Sequence, residues 1–224
     1  IQIDLSLLTD VSSLTSIDNF NSYTLTEAHI HTAIFFYLIV LISVCVCSLL
    51  YMGEQTTYDA LNKKNDKSLR KKARKRLSWG PSCFNSGLLT VVGFIYMGIK
   101  TGFFEDYDIT RIVTYAYSGR HIWREKDNFS VLTMIWFGMF NITDMTFGSI
   151  FAFEALDPLT TWVHHPVFTW IMLSGITGNG IVFQGEPYCS AFMFGLIEEL
   201  PTFWLALGSI WPSYRSDWGF GLTM

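Results

Sequence analysis

The chain has 224 residues, half of them hydrophobic and 17% aromatic, with a mean hydropathy of +0.31, which is too apolar for an ordinary soluble domain of this length. Its formal net charge of -4 conceals a segregation, because nine of the fifteen Lys and Arg lie between Lys63 and Arg76. A single basic run in an acidic, apolar chain argues against nucleic acid as a partner.

Residues 1–31 are polar and mildly acidic and carry no positive leader region, so they are expected to form an extracytosolic N-terminal segment. From Thr32 to Met52 the chain runs without a charge, and about 20 such residues match the hydrocarbon core of a bilayer. A soluble core helix would carry a polar stripe here. Residues 53–80 follow as a basic connection, which the positive-inside rule assigns to the cytosol. Within it Lys71, Lys72, Arg74, Lys75 and Arg76 are candidate contacts for anionic lipid headgroups, although a purely topogenic loop has the same composition.

A second span is expected at about 82–103, with Lys100 near its end and able to snorkel to the interface. In the charged connection that follows, Ile109, Ile112, Val113, Ala116 and Tyr117 recur at helical spacing, the pattern of a short helix lying in the interface. The third span, at about 130–154, carries Asn141 and Asp144 in its middle. Asp157-Pro158 then reads as an N-cap and first helical residue, so the fourth helix is expected to start there and be kinked at Pro166. It should break around Gly178-Asn179-Gly180, and Ser174 with Gly178 gives it a small-residue face for close packing. A fifth span, about 188–210, contains Glu198, Glu199 and Pro201, and the run from Trp218 to Met224 is expected to be the start of a truncated sixth. The fold class is therefore all-α, a polytopic transmembrane bundle occupying residues 32–224. The lysines and arginines divide ten to four in favour of the cytosolic side, which supports an N-outside orientation.

The residues that need explaining are the intramembrane acids, since a carboxylate at mid-bilayer costs about 2.5–3.5 kcal/mol. At about 1.5 Å of rise per residue, Asp144 and Glu199 lie roughly 15–20 Å from the cytosolic border, with His164 and His165 about 10 Å from it. One polar cavity formed by Asp144, His164, His165, Glu198 and Glu199 is thus feasible. Neighbouring helical residues point about 100° apart, so only one histidine and one glutamate can face a given site. The alternative for each acid is a hydrogen bond to a neighbouring helix, and for each histidine a bond to backbone or lipid phosphate. If the protein is an enzyme, His164 or His165 is the candidate base or nucleophile. The four cysteines read as small hydrophobes, and no metal-ligand spacing or cofactor motif is present.

The order of Arg76-Leu77-Ser78, then GMFNITDMTFG around Asp144, then LDPLTTWVHHP, then GLIEELPTFWLALGS resembles the TLC family of multi-pass membrane proteins across residues 76–224. That resemblance implies lipid handling in the endoplasmic reticulum membrane, with membrane lipids as partners and further helices after Met224. Ceramide synthases of the family are implied to carry a histidine-aspartate cluster after the His-His pair, where this chain has Gly195-Leu-Ile-Glu198-Glu199-Leu-Pro-Thr202. The sequence is closer to the members that sense, traffic or regulate lipids. An acyltransferase using acyl-CoA and the His-His pair is the alternative, and a proton-coupled transporter a second one.

Overall fold

The computed structural model describes residues 27–52, 67–117, 126–151, 159–178 and 188–211, and among these only helices and short turns occur, with no strand. Chain order gives α1 (Glu27–Met52), α2 (Lys67–Thr101), the one-turn α3 (Phe103–Asp106), α4 (Ile109–Tyr117) and α5 (Asn128–Phe151). A π-helical turn (Thr160–His164) then leads into α6 (His165–Thr177), followed by α7 (Cys189–Gly195), a 3-10 turn (Leu196–Glu198) and α8 (Glu199–Ile210). The expected N-terminal segment before Glu27, the Asp157-Pro158 cap and the truncated sixth span lie outside the described residues.

Two helical stretches, Ser78–Thr101 in α2 and Cys189–Ile210 across α7 and α8, are long and apolar enough to cross a membrane, and α1 holds a shorter apolar stretch from Ile30 to Val46. α5, with Asn128, Asn141 and Asp144, is not among them. From Lys67 on, the basic run is not the loop that its composition predicts. Residues 67–80 are the first turns of α2, and the helix passes through Pro81 into its apolar half. Lys and Arg are good helix formers, so charge density alone does not end a helix whose apolar half is anchored by packing. Lys71 is exposed and Arg76 half-buried, while the side chains of Lys72, Arg74 and Lys75 lie outside the described set.

α5 occupies the centre, with α1 and α6 along its flanks and α7 against its first half, whereas α8 lies along α2. The core follows from this arrangement: Val40 and Val44 of α1, Leu89 and Tyr96 of α2, Met134, Phe137 and Phe140 of α5, Met172 and Ile176 of α6, and Met193 with Leu196. A smaller cluster of Cys83, Ala206 and Ile210 joins α2 to α8. Close approach is needed where α2 meets the 3-10 turn, since a Cβ on Gly93 would stand 2.8 Å from that of Leu196.

The chain reverses after α2 through Gly102 and Tyr107, both left-handed, at φ 68° and 58°. α4 then forms where a helix was predicted. Asp108 caps it, accepting the Thr110 N–H at 2.9 Å, and the Tyr115 ring stacks on Phe194 at 5.4 Å between centroids. Ile109, Val113 and Tyr117 stay exposed.

Candidate functional site

α5 and α6 run antiparallel, and three contacts fix their register: Met134 against Gly175, Gly138 against Met172, and Asp144 against His165. Asp144 Oδ2 lies 3.5 Å from His165 Nδ1, with the two side chains 15% and 13% exposed. The separation suits an ion pair, but His165 Nδ1 has no aligned hydrogen-bond partner.

Local backbone chemistry puts His165 there. Pro166 has no N–H to give the carbonyl four residues earlier, and the turn before it widens to π spacing over Thr160–His164. The helix thus extends upstream of Pro166, as the Asp157-Pro158 pair predicts. Thr161 is buried by this turn, while Trp162, Val163 and His164 face outward. His164 packs on Phe168 with ring centroids 4.3 Å apart, and its ring is 5.7 Å from that of His165. Only His165 points at the acid.

The two glutamates divide in the same way. Glu198 is exposed in the 3-10 turn, and Glu199 is half-buried with the Ser86 side chain of α2 in hydrogen-bonding reach. The turn stands four residues before Pro201, which cannot donate to the Ile197 carbonyl. Glu199 N–H instead reaches back three residues to Leu196. Glu199 therefore belongs to the α2–α8 contact and Asp144 to the α5–α6 contact. The five residues expected in one cavity are distributed over two helix pairs and the outer surface.

A further polar network was not anticipated from sequence. The Tyr96 hydroxyl donates to Asp127 Oδ2 at 2.6 Å and lies 2.8 Å from Ser190 Oγ, joining α2, α5 and α7. Lys100 Nζ lies 3.4 Å from the same Asp127 oxygen, so it pairs within the protein rather than only reaching for the interface. Asp127 also caps α5 by accepting the Ser130 N–H at 2.8 Å. The Asp127-x-x-Ser130 spacing was the available signal. In the interior, Trp136 Nε1 donates to Asn85 Oδ1 at 2.9 Å, linking α5 to α2.

Among the described residues no three of His, Cys, Asp or Glu gather closely enough to hold a metal ion. Comparisons with protein-family models, curated proteins and solved structures found no match. Chemically, the α5–α6 site offers a carboxylate beside an imidazole, set between helices that also bury the apolar side chains of Met134, Met172 and Ile176. Such a pair can hold a polar group or relay a proton within an otherwise dry environment.

Proposed function

We propose that the protein is a multi-pass membrane protein of lipid handling, in which Asp144 and His165 hold the polar part of a lipid between α5 and α6. The five spans of this reading are α1, the apolar half of α2, α5, the π turn with α6, and α7 with α8. Outward-facing stripes support it. Ile30, Ile34, Leu38, Ile42 and Val46 line the exposed side of α1, and Phe84, Leu88, Val91, Ile95 and Ile99 that of α2. Each stripe runs about 22–24 Å at 1.5 Å per residue, a large part of a hydrocarbon core about 30 Å thick. Contiguous apolar surface of this extent calls for an apolar solvent or partner. The resemblance to the TLC family, carried by the Asp144, His164-His165 and Glu199-Leu-Pro-Thr202 segments, suggests the endoplasmic reticulum membrane and the branch that regulates lipids.

The observation that carries the functional reading is the Asp144–His165 contact. Cells producing Asp144→Ala or His165→Ala should show altered membrane lipid composition, whereas Glu198→Ala, on the exposed face, should not. The reading fails if the purified full-length protein retains no lipid and Asp144→Ala leaves cellular lipids unchanged.

The same contact favours one second reading, a lipid acyltransferase in which His165 is the base and Asp144 orients it. That enzyme would move an acyl group from acyl-CoA to an amine or hydroxyl. Transfer would vanish in His165→Ala and survive in His164→Ala. An absence of acyl transfer over a broad panel of acceptors removes this reading while leaving lipid handling in place.

A further inference from the structure

Between α1, α5 and α6 lies a cavity of about 90 Å³ with an apolar lining that includes Ala33, Met134, Gly138, Thr169, Met172 and Ile176. Dry apolar cavities of this order take up small nonpolar groups. Thr169 is the lining residue nearest His165, one helical turn away. Close to this end of the cavity the interior is short of hydrogen bonds: Asn141 Nδ2, His165 Nδ1 and Thr169 Oγ1 are all buried without a partner. Asn141 is only 2% exposed. Elsewhere in the bundle, Thr90, Thr133, Thr143 and Thr146 each donate to the carbonyl four residues back, and Thr169 does not. Three unsatisfied polar atoms on two facing helices are an unusual concentration for a folded interior.

The antiparallel register explains why they occur together. With Gly138 opposite Met172 and Asp144 opposite His165, Asn141 falls level with Thr169. The Asn141 amide nitrogen is a pure donor, and the Thr169 hydroxyl is free of the backbone bond its counterparts make. Two donors at one level, with Thr169 on the lining of the apolar cavity and both one turn from a carboxylate–imidazole pair, suit an acceptor oxygen carried on a hydrocarbon chain.

We propose that this stretch is an acyl-chain subsite: the carbonyl oxygen of a fatty acyl group takes the Asn141 and Thr169 donors, and the adjoining methylenes fill the cavity kept open by Gly138. The proposal rests on the lipid-handling reading and makes Gly138 a determinant of which chains fit. A Cβ at Gly138 would meet only Met172 Sδ, at 3.9 Å, an ordinary contact. Alanine is therefore accommodated there, and a longer side chain must enter the cavity or displace Met172.

The test is mass spectrometry of lipid retained by the purified full-length protein, for wild type, Gly138→Ala, Gly138→Leu, Met172→Ala and Asn141→Ala. Gly138→Ala should resemble wild type. Gly138→Leu should shift retained lipid to shorter acyl chains, because its side chain occupies the space that the terminal methylenes fill. Met172→Ala should shift it the other way, towards longer chains, a direction that loss of folding does not produce. Asn141→Ala should lower retention without a change in chain length. If wild type retains lipid and its chain-length distribution is the same in Gly138→Leu and Met172→Ala, the subsite is wrong and lipid handling stands. Should Gly138→Leu not fold, an unchanged distribution in Met172→Ala alone overturns the subsite. A wild-type protein that retains no lipid overturns the subsite, and lipid handling with it where Asp144→Ala also leaves cellular lipids unchanged.

Discussion

Trp136 brings an indole N–H into the interior, and Asn85, 1% exposed, accepts it. Removing the acceptor leaves a buried donor unpaired, at a cost of about 1–3 kcal/mol. Asn85→Ala should therefore lower the unfolding free energy in detergent micelles by that amount, and an unchanged midpoint would remove the bond from the structural account. Asp108, at the start of α4, works at the surface. Its carboxylate is held below the usual range chiefly by the Thr110 hydroxyl, then by the Thr110 N–H, with Arg111 adding attraction. A depressed folded value means that the cap contributes above the unfolded pKa of about 3.9 and is lost as pH falls through the folded one. Protection of the α4 amides against hydrogen exchange should thus fall in acid relative to neutral pH, and Asp108→Asn should flatten that dependence. Asp144 was visible in the sequence as a residue costly to bury. Its partner was not, and neither was the Trp136–Asn85 bond, because Asp144 and His165 are 21 positions apart and Asn85 and Trp136 are 51 apart.

At the scale of elements, proline and glycine decide where the helices change. Pro166 sets the π turn that aims His165 at Asp144, and Pro201 follows the 3-10 turn that separates Glu198 from Glu199. Restoring the donor with Pro166→Ala should tighten the π turn and move His165 relative to α5. The coupling between His165 and Asp144, measured by a double-mutant cycle, should then fall towards zero in the Pro166→Ala background. Undiminished coupling would mean that the turn is maintained by packing of Thr161 instead. Gly178 ends α6 with φ 67°. A side chain there meets the left-handed penalty, so Gly178→Ala should destabilise by about 1–2 kcal/mol and Gly178→Asn by less, as read from equilibrium unfolding. These stops were legible in the sequence, since proline lacks a donor and glycine tolerates positive φ wherever they stand. The continuation of α2 back to Lys67 was not. A basic run is compatible with a loop or a solvated helix, and attachment to the packed half of α2 made it a helix.

On the scale of the whole molecule, α2 and α5 are the two helices around which the described residues assemble, and the others bury their apolar stripes against one or the other. The opposite stripes of α1 and α2 are left exposed. Under the membrane reading, α4 lies on the side opposite the basic run. A glycosylation acceptor inserted between Tyr117 and Lys126 should be modified in cells, and one inserted between Met52 and Lys67 should not. The reverse pattern would invert the orientation, and no modification at either place would count against the crossing of α2. Sequence-level depth along the spans placed Asp144, His165 and Glu199 within a turn or two of each other. Depth does not report the angle around a helix or which helices are neighbours. Glu199 faces Ser86 on α2 and Asp144 faces His165 on α6, so equal depth did not make one cavity.

By itself the sequence determined the helical class, the positions of most helix ends and which residues would be costly to bury, because these depend on composition, on local backbone chemistry and on charge. Only the tertiary structure decided which histidine meets the acid and that the glutamate belongs elsewhere. It also left the Thr169 hydroxyl, on the lining of an apolar cavity, and the buried Asn141 amide without hydrogen-bond partners. Helix azimuth and neighbour choice come from packing between segments distant in the chain, and no local pattern encodes them.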